Sequence, residues 1–150
     1  MSMTIRSLEA RDLHALAELY YQFWNEESDV QKMEAKFAEL QNNSAYILLC
    51  AVENDELVGS VMGIVCEELY GKCESFLVLE NMIIDRRCRR KGVGTFLLAE
   101  LERRARARGC TQIILVTETD RKDACRFYEA MGFHPNANKG YKKKYNFTEI

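Results

Sequence analysis

Apolar residues recur along the first third of the chain at two spacings. The short alternating run at residues 3–7 predicts a strand. Residues 11–24, RDLHALAELYYQFW, place leucines and aromatics three or four positions apart, which predicts an amphipathic helix. A second helix is expected to begin after Ser28, as its capping residue, and to run through Gln41. The apolar face of this second helix would be formed by Val30, Met33, Phe37 and Leu40.

The middle of the chain has the pattern of consecutive strands. Residues 45–53 and 57–69 are apolar runs on either side of Asn54-Asp55, a dipeptide that favours a tight turn, so they predict a hairpin. Residues 74–84 form a further long apolar run. Three strands are therefore expected between the second helix and the second half of the chain.

The second half returns to alternating helices and strands. A helix is predicted at 93–108, ended by Gly109, and a strand that looks buried at 111–117. A short helix is expected at 122–132 and a final strand at 140–147. The inward positions of the first of these helices would be Val93, Phe96, Leu97 and Leu101. With no internal repeat and no linker, the pattern predicts one α/β domain over residues 1–150.

Composition narrows the class of protein. The 150 residues carry a net charge of −2, which argues against a general nucleic-acid binder. The N-terminus lacks the apolar core of a signal peptide, and no apolar run has the length of a membrane span, so a cytoplasmic chain with no membrane partner is expected. Six cysteines without a C-x-x-C pair, and only two histidines, argue against a metal site. Cys50 and Cys66 stand in apolar runs and are expected to be structural thiols.

One basic stretch stands out at the start of the helix predicted at 93–108. Residues 86–94, RRCRRKGVG, lead from an apolar strand into Gly92 and Gly94. A helix N-terminus has unpaired backbone N–H groups and the positive end of the helix dipole, so it binds anions readily. The stretch therefore predicts a phosphate site. Solvated surface charge and a nucleic-acid contact shared with YKKKY at 141–145 are the alternatives.

The glycine spacing decides which phosphate site this could be. The P-loop pattern is missing, and Leu97 stands where a dinucleotide fingerprint needs a third glycine. The spacing Arg89-x-x-Gly92-x-Gly94 resembles the pyrophosphate-binding motif of the GNAT superfamily of acyl-CoA N-acyltransferases. Further on, DACRFYEAMGF at 123–133 is similar to a second signature of that family.

This resemblance implies a fold and a cosubstrate. The fold would be a central mixed, mostly antiparallel sheet flanked by about four helices, and the cosubstrate would be acetyl-CoA, with no metal. Met82 would donate its backbone N–H to the thioester carbonyl, and Arg121 stands where relatives often have an asparagine and could reach a phosphate. The full set of implied cofactor-binding residues is Met82, Ile83, Ile84, Arg89, Arg90, Lys91, Gly92, Val93, Gly94, Thr95 and Arg121.

The resemblance also implies two proton-handling residues. Glu80 is the candidate base, two positions before Met82 and so expected on the same strand face, although it could equally be an exposed strand carboxylate. Asn81 could position water. Tyr128 matches the general acid of many relatives, and its alternative is a core aromatic. Cys88, between two arginines, would have a depressed pKa, yet direct transfer needs no nucleophilic thiol.

The acceptor is the least determined part of the reaction. The segment YYQFWNEESD at 20–29 would line the acceptor site, with Tyr20, Trp24 and Glu27 suited to a cationic amine by cation–π and ion-pair contact. A small polyamine, amino sugar or aminoglycoside-like molecule is expected. A protein lysine or N-terminal amine is the alternative, and a non-catalytic acyl-CoA-binding regulatory module is a further one. A homodimer could form by pairing of the strand predicted at 141–147.

Overall fold

The computed structural model of the chain describes residues 3–145. These residues form two compact units, and the boundary between the units lies between Leu115 and Val116. Within the described residues, no helix combines the length and the apolar character needed to cross a membrane. The single domain over residues 1–150 stays a prediction.

The first unit contains five strands and three α-helices among the described residues. Its elements are β1 (Met3–Ser7), α1 (Leu13–Trp24), α2 (Val30–Gln41), β2 (Tyr46–Glu53), β3 (Glu56–Cys66), β4 (Ser75–Ile84), α3 (Val93–Ala107) and β5 (Cys110–Ile114), with short 3-10 turns at Ala10–Asp12 and Arg86–Cys88. The second unit contains α4 (Lys122–Ala130).

The five strands form one sheet in the order β1-β2-β3-β4-β5. The first four strands are antiparallel to their neighbours, and β5 is parallel to β4. In the turn between β2 and β3, Asn54 and Asp55 both have left-handed backbones, with φ of 51° and 65°. Two such residues give the turn a twist that matches the strands it joins. The mixed, mostly antiparallel sheet and the Asn54-Asp55 hairpin are therefore confirmed.

Helix α3 covers one face of the sheet, here called the α3 face. Its buried side chains are Val93, Leu97, Leu98, Leu101 and Ala105. A Cβ added at Gly63 of β3 would lie 2.7 Å from Cδ1 of Leu101, so a larger residue there would displace this buried side chain. Phe96 was expected inside, but it is 55% exposed. It stands one position outside the row of buried residues, and Leu98 takes the inward place.

Helices α1 and α2 cover the opposite, α1–α2 face. The buried cluster on this face consists of Leu8, Leu13, Leu16, Phe37 and Cys50. Burial raises the pKa of the Cys50 thiol to about 11, as expected for a structural cysteine. Beside it, Arg6 donates to both oxygens of Asp12 over 2.8 and 2.9 Å, and this pairing lowers the pKa of the buried Asp12 carboxyl.

Several predicted boundaries differ from the structure. Asp29, rather than Ser28, caps α2, because its carboxylate accepts from the backbone N–H of Lys32 over 3.1 Å. Strand β3 ends at Cys66 and not at residue 69, and β5 is only half-buried. Residues 140–145 have no strand, and the remaining two residues of the predicted final strand lie outside the described residues.

Candidate active site

Strand β4 contains a one-residue bulge. Between the pairs Met62–Glu80 and Ser60–Ile83, β3 advances two residues while β4 advances three. Asn81, inside this interval, has a left-handed backbone with φ of 51°. A left-handed residue at a bulge bends its strand and interrupts the ladder, and such bulges are common beside active sites.

The bulge places Glu80 on the α1–α2 face. Met62 and Ser60 stand two positions apart on β3, so they point to the same face. Their partners Glu80 and Ile83 therefore share that face as well. Ser60 also pairs with Cys50 of the α1–α2 cluster, which identifies the face. Glu80 is exposed there, whereas Ile83 is buried.

Met82 lies on the other face. Ile84 pairs with Gly59, where an added Cβ would come within 3.0 Å of Leu97, so Ile84 points towards α3. Met82 stands two positions before Ile84 and beyond the bulge, which gives it the same direction. The expectation that Glu80 and Met82 share a face is therefore wrong, because the extra residue between them interrupts the alternation.

Strand β4 continues past its parallel partner. The last pair with β5 is Val78–Ile114, where β5 ends, whereas β4 runs on to Ile84. Among the described residues of the first unit, no strand pairs with that edge of β4 beyond Val78. The backbone groups along this edge are donors and acceptors that an extended ligand could use.

The loop between β4 and α3, residues 85–92, is anchored by Asp85. Its buried carboxylate accepts from the backbone N–H of Arg87 over 2.9 Å and from the guanidinium of the same residue over 3.1 and 3.2 Å. These hydrogen bonds lower the pKa of Asp85. Asp85 was not predicted as a site residue, although an aspartate directly after an apolar strand is a recognisable cap signal.

The end of the β4–α3 loop has the backbone of an anion site. Gly92 is the N-terminal cap of α3, with φ of 86° and no side chain on the helix terminus. Arg90 also has a left-handed backbone, with φ of 66°. Alternating left- and right-handed residues turn successive N–H groups into one concavity. Three exposed cations stand around it, namely Arg89, Arg90 and Lys91. The residues that were predicted to surround the phosphate therefore lie together.

The first turn of α3 contributes backbone N–H groups, rather than side chains, to the predicted phosphate site. Val93 is buried in the core, Gly94 is half-buried and Thr95 is exposed. The first three helical N–H groups point along the helix axis away from the helix, which is the direction an anion would need. Val93 could therefore contact a ligand only through its amide.

Cys88 does not have the reactivity that its neighbours suggest. The side chain is buried, and burial raises the pKa of the thiol, with the nearby Asp85 carboxylate acting in the same direction. The expectation of a depressed pKa is wrong, because the flanking arginines point to solvent while the thiol points inward. Arg89 instead stands over the ring of Phe23, 4.9 Å from its centre.

The C-terminal turn of α1 is joined to the β4–α3 loop through Gln22. The side-chain oxygen of Gln22 accepts from the backbone N–H of Arg86 over 3.3 Å, and its nitrogen donates to Asp85 over 3.5 Å. The guanidinium of Arg86 also donates to the backbone carbonyl of Gln22 over 2.6 Å. No sequence pattern indicates these contacts, which join positions 63 and 64 residues apart.

The predicted acceptor residues fall into two groups. Tyr20 packs against the α1–α2 cluster, and burial raises its pKa, so its ring is largely structural. Trp24 is 46% exposed, and its ring centre lies 5.4 Å from that of Tyr20. Glu27 is exposed in the α1–α2 connection, residues 25–29. An aromatic surface is thus followed directly by free carboxylates.

The second unit contains the remaining predicted residues. Tyr128 is half-buried in α4, with its ring centre 5.4 Å from Phe127 and 5.7 Å from Phe133. Arg121 is the N-terminal cap residue of α4, and its carbonyl accepts from the backbone N–H of Cys125 over 3.0 Å. Tyr128 of the second signature and Arg121, just before that signature, are therefore both held by one short helix.

Comparison with known proteins identifies the class of protein. The model of the acetyltransferase (GNAT) family matches residues 12–133, and the chain belongs to this family. It is an acetyl-CoA-dependent acyltransferase. The resemblance in the two sequence signatures is thereby confirmed.

Relatives and solved structures agree with that assignment. The chain is 29% identical over 139 residues to a Bacillus subtilis (strain 168) protein named "Uncharacterized N-acetyltransferase YhfO", covering 87% of this chain and 89% of the relative. A crystal structure of a transcriptional regulator from Bacillus halodurans C-125 has a TM-score of 0.87 and 26% identity, covering 96% and 100% of the two chains. Glucosamine-6-phosphate N-acetyltransferase from Arabidopsis thaliana shares the fold, with a TM-score of 0.82, 21% identity and coverage of 98% and 99%.

Proposed function

We propose that this chain transfers an acetyl group from acetyl-CoA directly to the primary amine of a small cationic molecule. The observation that carries the proposal is the bulge in β4. It directs Glu80 to the α1–α2 face and Met82 to the α3 face, so one strand supplies a proton acceptor on one side and cofactor contacts on the other. In direct transfer the amine attacks the thioester carbonyl, so the proton acceptor and the donor to that carbonyl must lie within reach of the same reacting atoms.

The β4–α3 loop and the start of α3 would hold the pyrophosphate. The left-handed Gly92, the helix terminus without a capping side chain and the three exposed cations fit a doubly charged group. Acetyl-CoA supplies an acetyl group already activated as a thioester. Arg121 would add a charge for a phosphate of the same ligand.

The backbone beside the bulge would polarise the acetyl carbonyl. The unpaired edge of β4 includes residues 79–84, and the N–H of Met82 is the proposed donor. A donor that is already fixed in direction stabilises developing negative charge without further reorganisation. The side chains of Ile83 and Ile84 would keep this part of the strand dry.

Proton transfer is assigned to two side chains. A primary amine is protonated near neutral pH, so it must lose a proton before attack, and Glu80 would take that proton directly or through water held by Asn81. Tyr128 would give a proton to the departing thiolate. Its pairing with Phe127 and Phe133 fixes the direction of the ring.

The acceptor proposal rests on the end of α1. Exposed Trp24 and the exposed carboxylates Glu26 and Glu27 suit a cationic amine. The relative from Arabidopsis thaliana is named for an amino sugar phosphate, which is a small amine acceptor. A small molecule is therefore favoured over a protein lysine or N-terminus.

The test is an acceptor screen with matched variants. Release of the CoA thiol is measured with polyamines, amino sugars, aminoglycosides and a lysine peptide. Tyr128→Phe and Glu80→Gln should each lower turnover about 100-fold while calorimetric CoA binding persists. Tyr70→Phe and Glu74→Gln, exposed residues of the β3–β4 loop, are the controls. Unchanged turnover in the first pair would remove both catalytic assignments, and turnover with the peptide alone would favour a protein acceptor.

A further inference from the structure

The last turn of α1, here called the acceptor end of α1 because the proposed function assigns it to the amine, is hydrogen-bonded to the β4–α3 loop. Gln22 contacts the loop through three groups: its side-chain oxygen, its side-chain nitrogen and its backbone carbonyl. The partners, Arg86 and Asp85, are the first two residues of the loop. A displacement of this helix end would therefore disturb the start of the loop, and the reverse holds too.

The loop side of this connection is rigid. Asp85 is 3% exposed, and its backbone N–H donates to the carbonyl of Val58 over 2.8 Å, which ties it to β3. Its carboxylate is also held by Arg87, whose guanidinium donates to the same oxygen that Gln22 contacts. Hydrogen bonds to an ionised group are stronger than those between neutral groups, so the position of Asp85 is well determined.

A second contact runs beside the first. The guanidinium of Arg89 stands over the ring of Phe23, and Phe23 in turn lies 5.8 Å from the ring of Trp24. Arg89 is one of the cations assigned to the pyrophosphate. A phosphate that attracts Arg89 changes its contact with Phe23, and the same helical turn carries Gln22.

We propose that Gln22 is a positioning residue that couples occupancy of the coenzyme A loop to the arrangement of the acceptor end of α1. The proposal rests on the proposed function, because it takes the β4–α3 loop as the cofactor site and the end of α1 as the acceptor site. Gln22 does not touch either ligand in this assignment. It holds the β4–α3 loop and the acceptor end of α1 in a fixed position relative to each other.

The chain contains its own reporter for this coupling. Trp24 is the single tryptophan of the sequence, and it lies two residues after Gln22 in the last turn of α1. Its indole is partly exposed, so a small change in the packing of this turn alters its fluorescence. Coenzyme A can be added without any acceptor, which makes the measurement independent of the identity of the amine.

The experiment titrates the full chain with coenzyme A and records calorimetric heat and Trp24 fluorescence in parallel. Wild type should bind coenzyme A and change its emission with the same midpoint. Gln22→Met, which keeps the length of the side chain and removes its polar atoms, should still bind in the calorimeter. Its affinity should be weaker by about fivefold, with most of the fluorescence change lost.

Two further variants separate coupling from damage to the helix. Gln22→Glu keeps the acceptor for Arg86 but presents a carboxylate to Asp85, and it should lose the fluorescence response as well. Gln41→Met places the same change in the last turn of α2 and should behave as wild type. An acceptor from the screen then adds a kinetic readout, in which Gln22→Met raises the KM of the amine more than it lowers kcat.

The outcomes distinguish this inference from the proposed function. Absence of calorimetric binding by wild type would overturn the cofactor assignment itself. Binding without a fluorescence change in wild type, or an undiminished change in both Gln22 variants, would overturn the coupling and leave the cofactor site intact. A matching loss in Gln41→Met would show that the response reports general helix stability, which also overturns it.

Discussion

The β4–α3 loop and the α1–α2 connection are both polar segments of the first unit, but they are built differently. In the loop, a buried carboxylate, a left-handed Arg90 and a left-handed Gly92 fix the backbone. In the connection, Asn25 ends α1 with φ of 52° and Asp29 caps α2, and the residues between them are largely exposed. In the proposed function, the loop would bind its ligand with its backbone, whereas the connection would bind its ligand with side chains.

This difference explains why the cofactor could be predicted from the sequence and the acceptor could not. The phosphate group is the same in every relative, so it is bound by the same backbone conformation. That conformation needs glycines at a fixed spacing, and this spacing is visible in the sequence. An amine acceptor is contacted by side chains that many sequences could provide. The predictions below test whether the two segments respond to mutation in these two ways.

The largest effect is expected from filling the predicted phosphate site at the start of α3. Gly92→Glu adds a side chain and a negative charge where the pyrophosphate would lie, and affinity for CoA should fall about 100-fold, or about 2.8 kcal/mol. Gly109→Glu is the matched control, because Gly109 has a similar φ of 80° and stands just beyond the other end of α3. Calorimetry on both variants separates backbone strain from lost binding. Equal losses of affinity would place the phosphate elsewhere.

Removing the charge that anchors the loop should cost stability in a pH-dependent manner. Asp85→Asn should lower the free energy of unfolding by about 2 kcal/mol near neutral pH, because charge-assisted hydrogen bonds are lost. The pKa of Asp85 is lowered in the folded chain, so its contribution is present above the ordinary carboxyl pKa and disappears as the pH falls through the folded value.

Urea unfolding measured at several pH values checks this sign. The difference between wild type and Asp85→Asn should shrink on acidification. Asp12 and Glu100 also have lowered pKa values, through Arg6 and through Arg103 with Arg104, but they are unchanged in both proteins and cancel. A difference that grows towards acid pH would show that the carboxylate destabilises the fold.

A smaller effect is expected at the bulge. Asn81→Val puts a β-branched residue at φ of 51° and should cost about 1.5 kcal/mol, with a fall in turnover. Asn54→Val carries the same strain in the β2–β3 turn, at the same φ of 51°, and should leave turnover per folded molecule unchanged. Asn81→Gly should retain stability, because glycine adopts this backbone without strain, but it should lower turnover because the amide that would hold the water is lost. Chemical denaturation and thiol release are the two measurements.

The smallest effect is expected on the acceptor side. Glu26→Gln with Glu27→Gln should raise the KM of a cationic amine about threefold, since exposed ion pairs are weak, while CoA affinity stays constant. Glu34→Gln, an exposed carboxylate of α2, is the control. A loss of CoA affinity in the double variant would mean that the two segments do not divide the ligands as proposed.

Most of the fold could be predicted because its elements follow apolar spacing. The hairpin turn at Asn54-Asp55, the C-terminal ends of α1 and α2, and the glycines after α3 and α4 are local signals, and the structure agrees with them. Phe96 was misplaced because a helical stripe is wide enough to admit a residue one position outside it. Only the packing against β3 decides between Phe96 and Leu98.

The site could be predicted only where the backbone encodes it. The bulge was not predicted. Asn81 is a residue type that tolerates a left-handed backbone, but it stands inside an apolar run that predicts a continuous strand, and only the pairing with β3 shows the extra residue. The thiol of Cys88 was misjudged for a related reason. Flanking arginines indicate positive potential, but burial and the Asp85 carboxylate outweigh it, and neither is visible from neighbours in sequence.

The bulge has a consequence for how the length of this chain can vary. Beyond Asn81, the face that each β4 residue points to follows its register with β3, in which Asn81 is the one extra residue. Deleting Asn81 would restore an uninterrupted ladder with Met82 opposite Val61, and it would leave Met82 and Ile84 pointing towards α3 and Ile83 towards α1. The two faces of β4 would therefore survive the loss of this one residue, whereas the bend that it gives the strand at the active site would not.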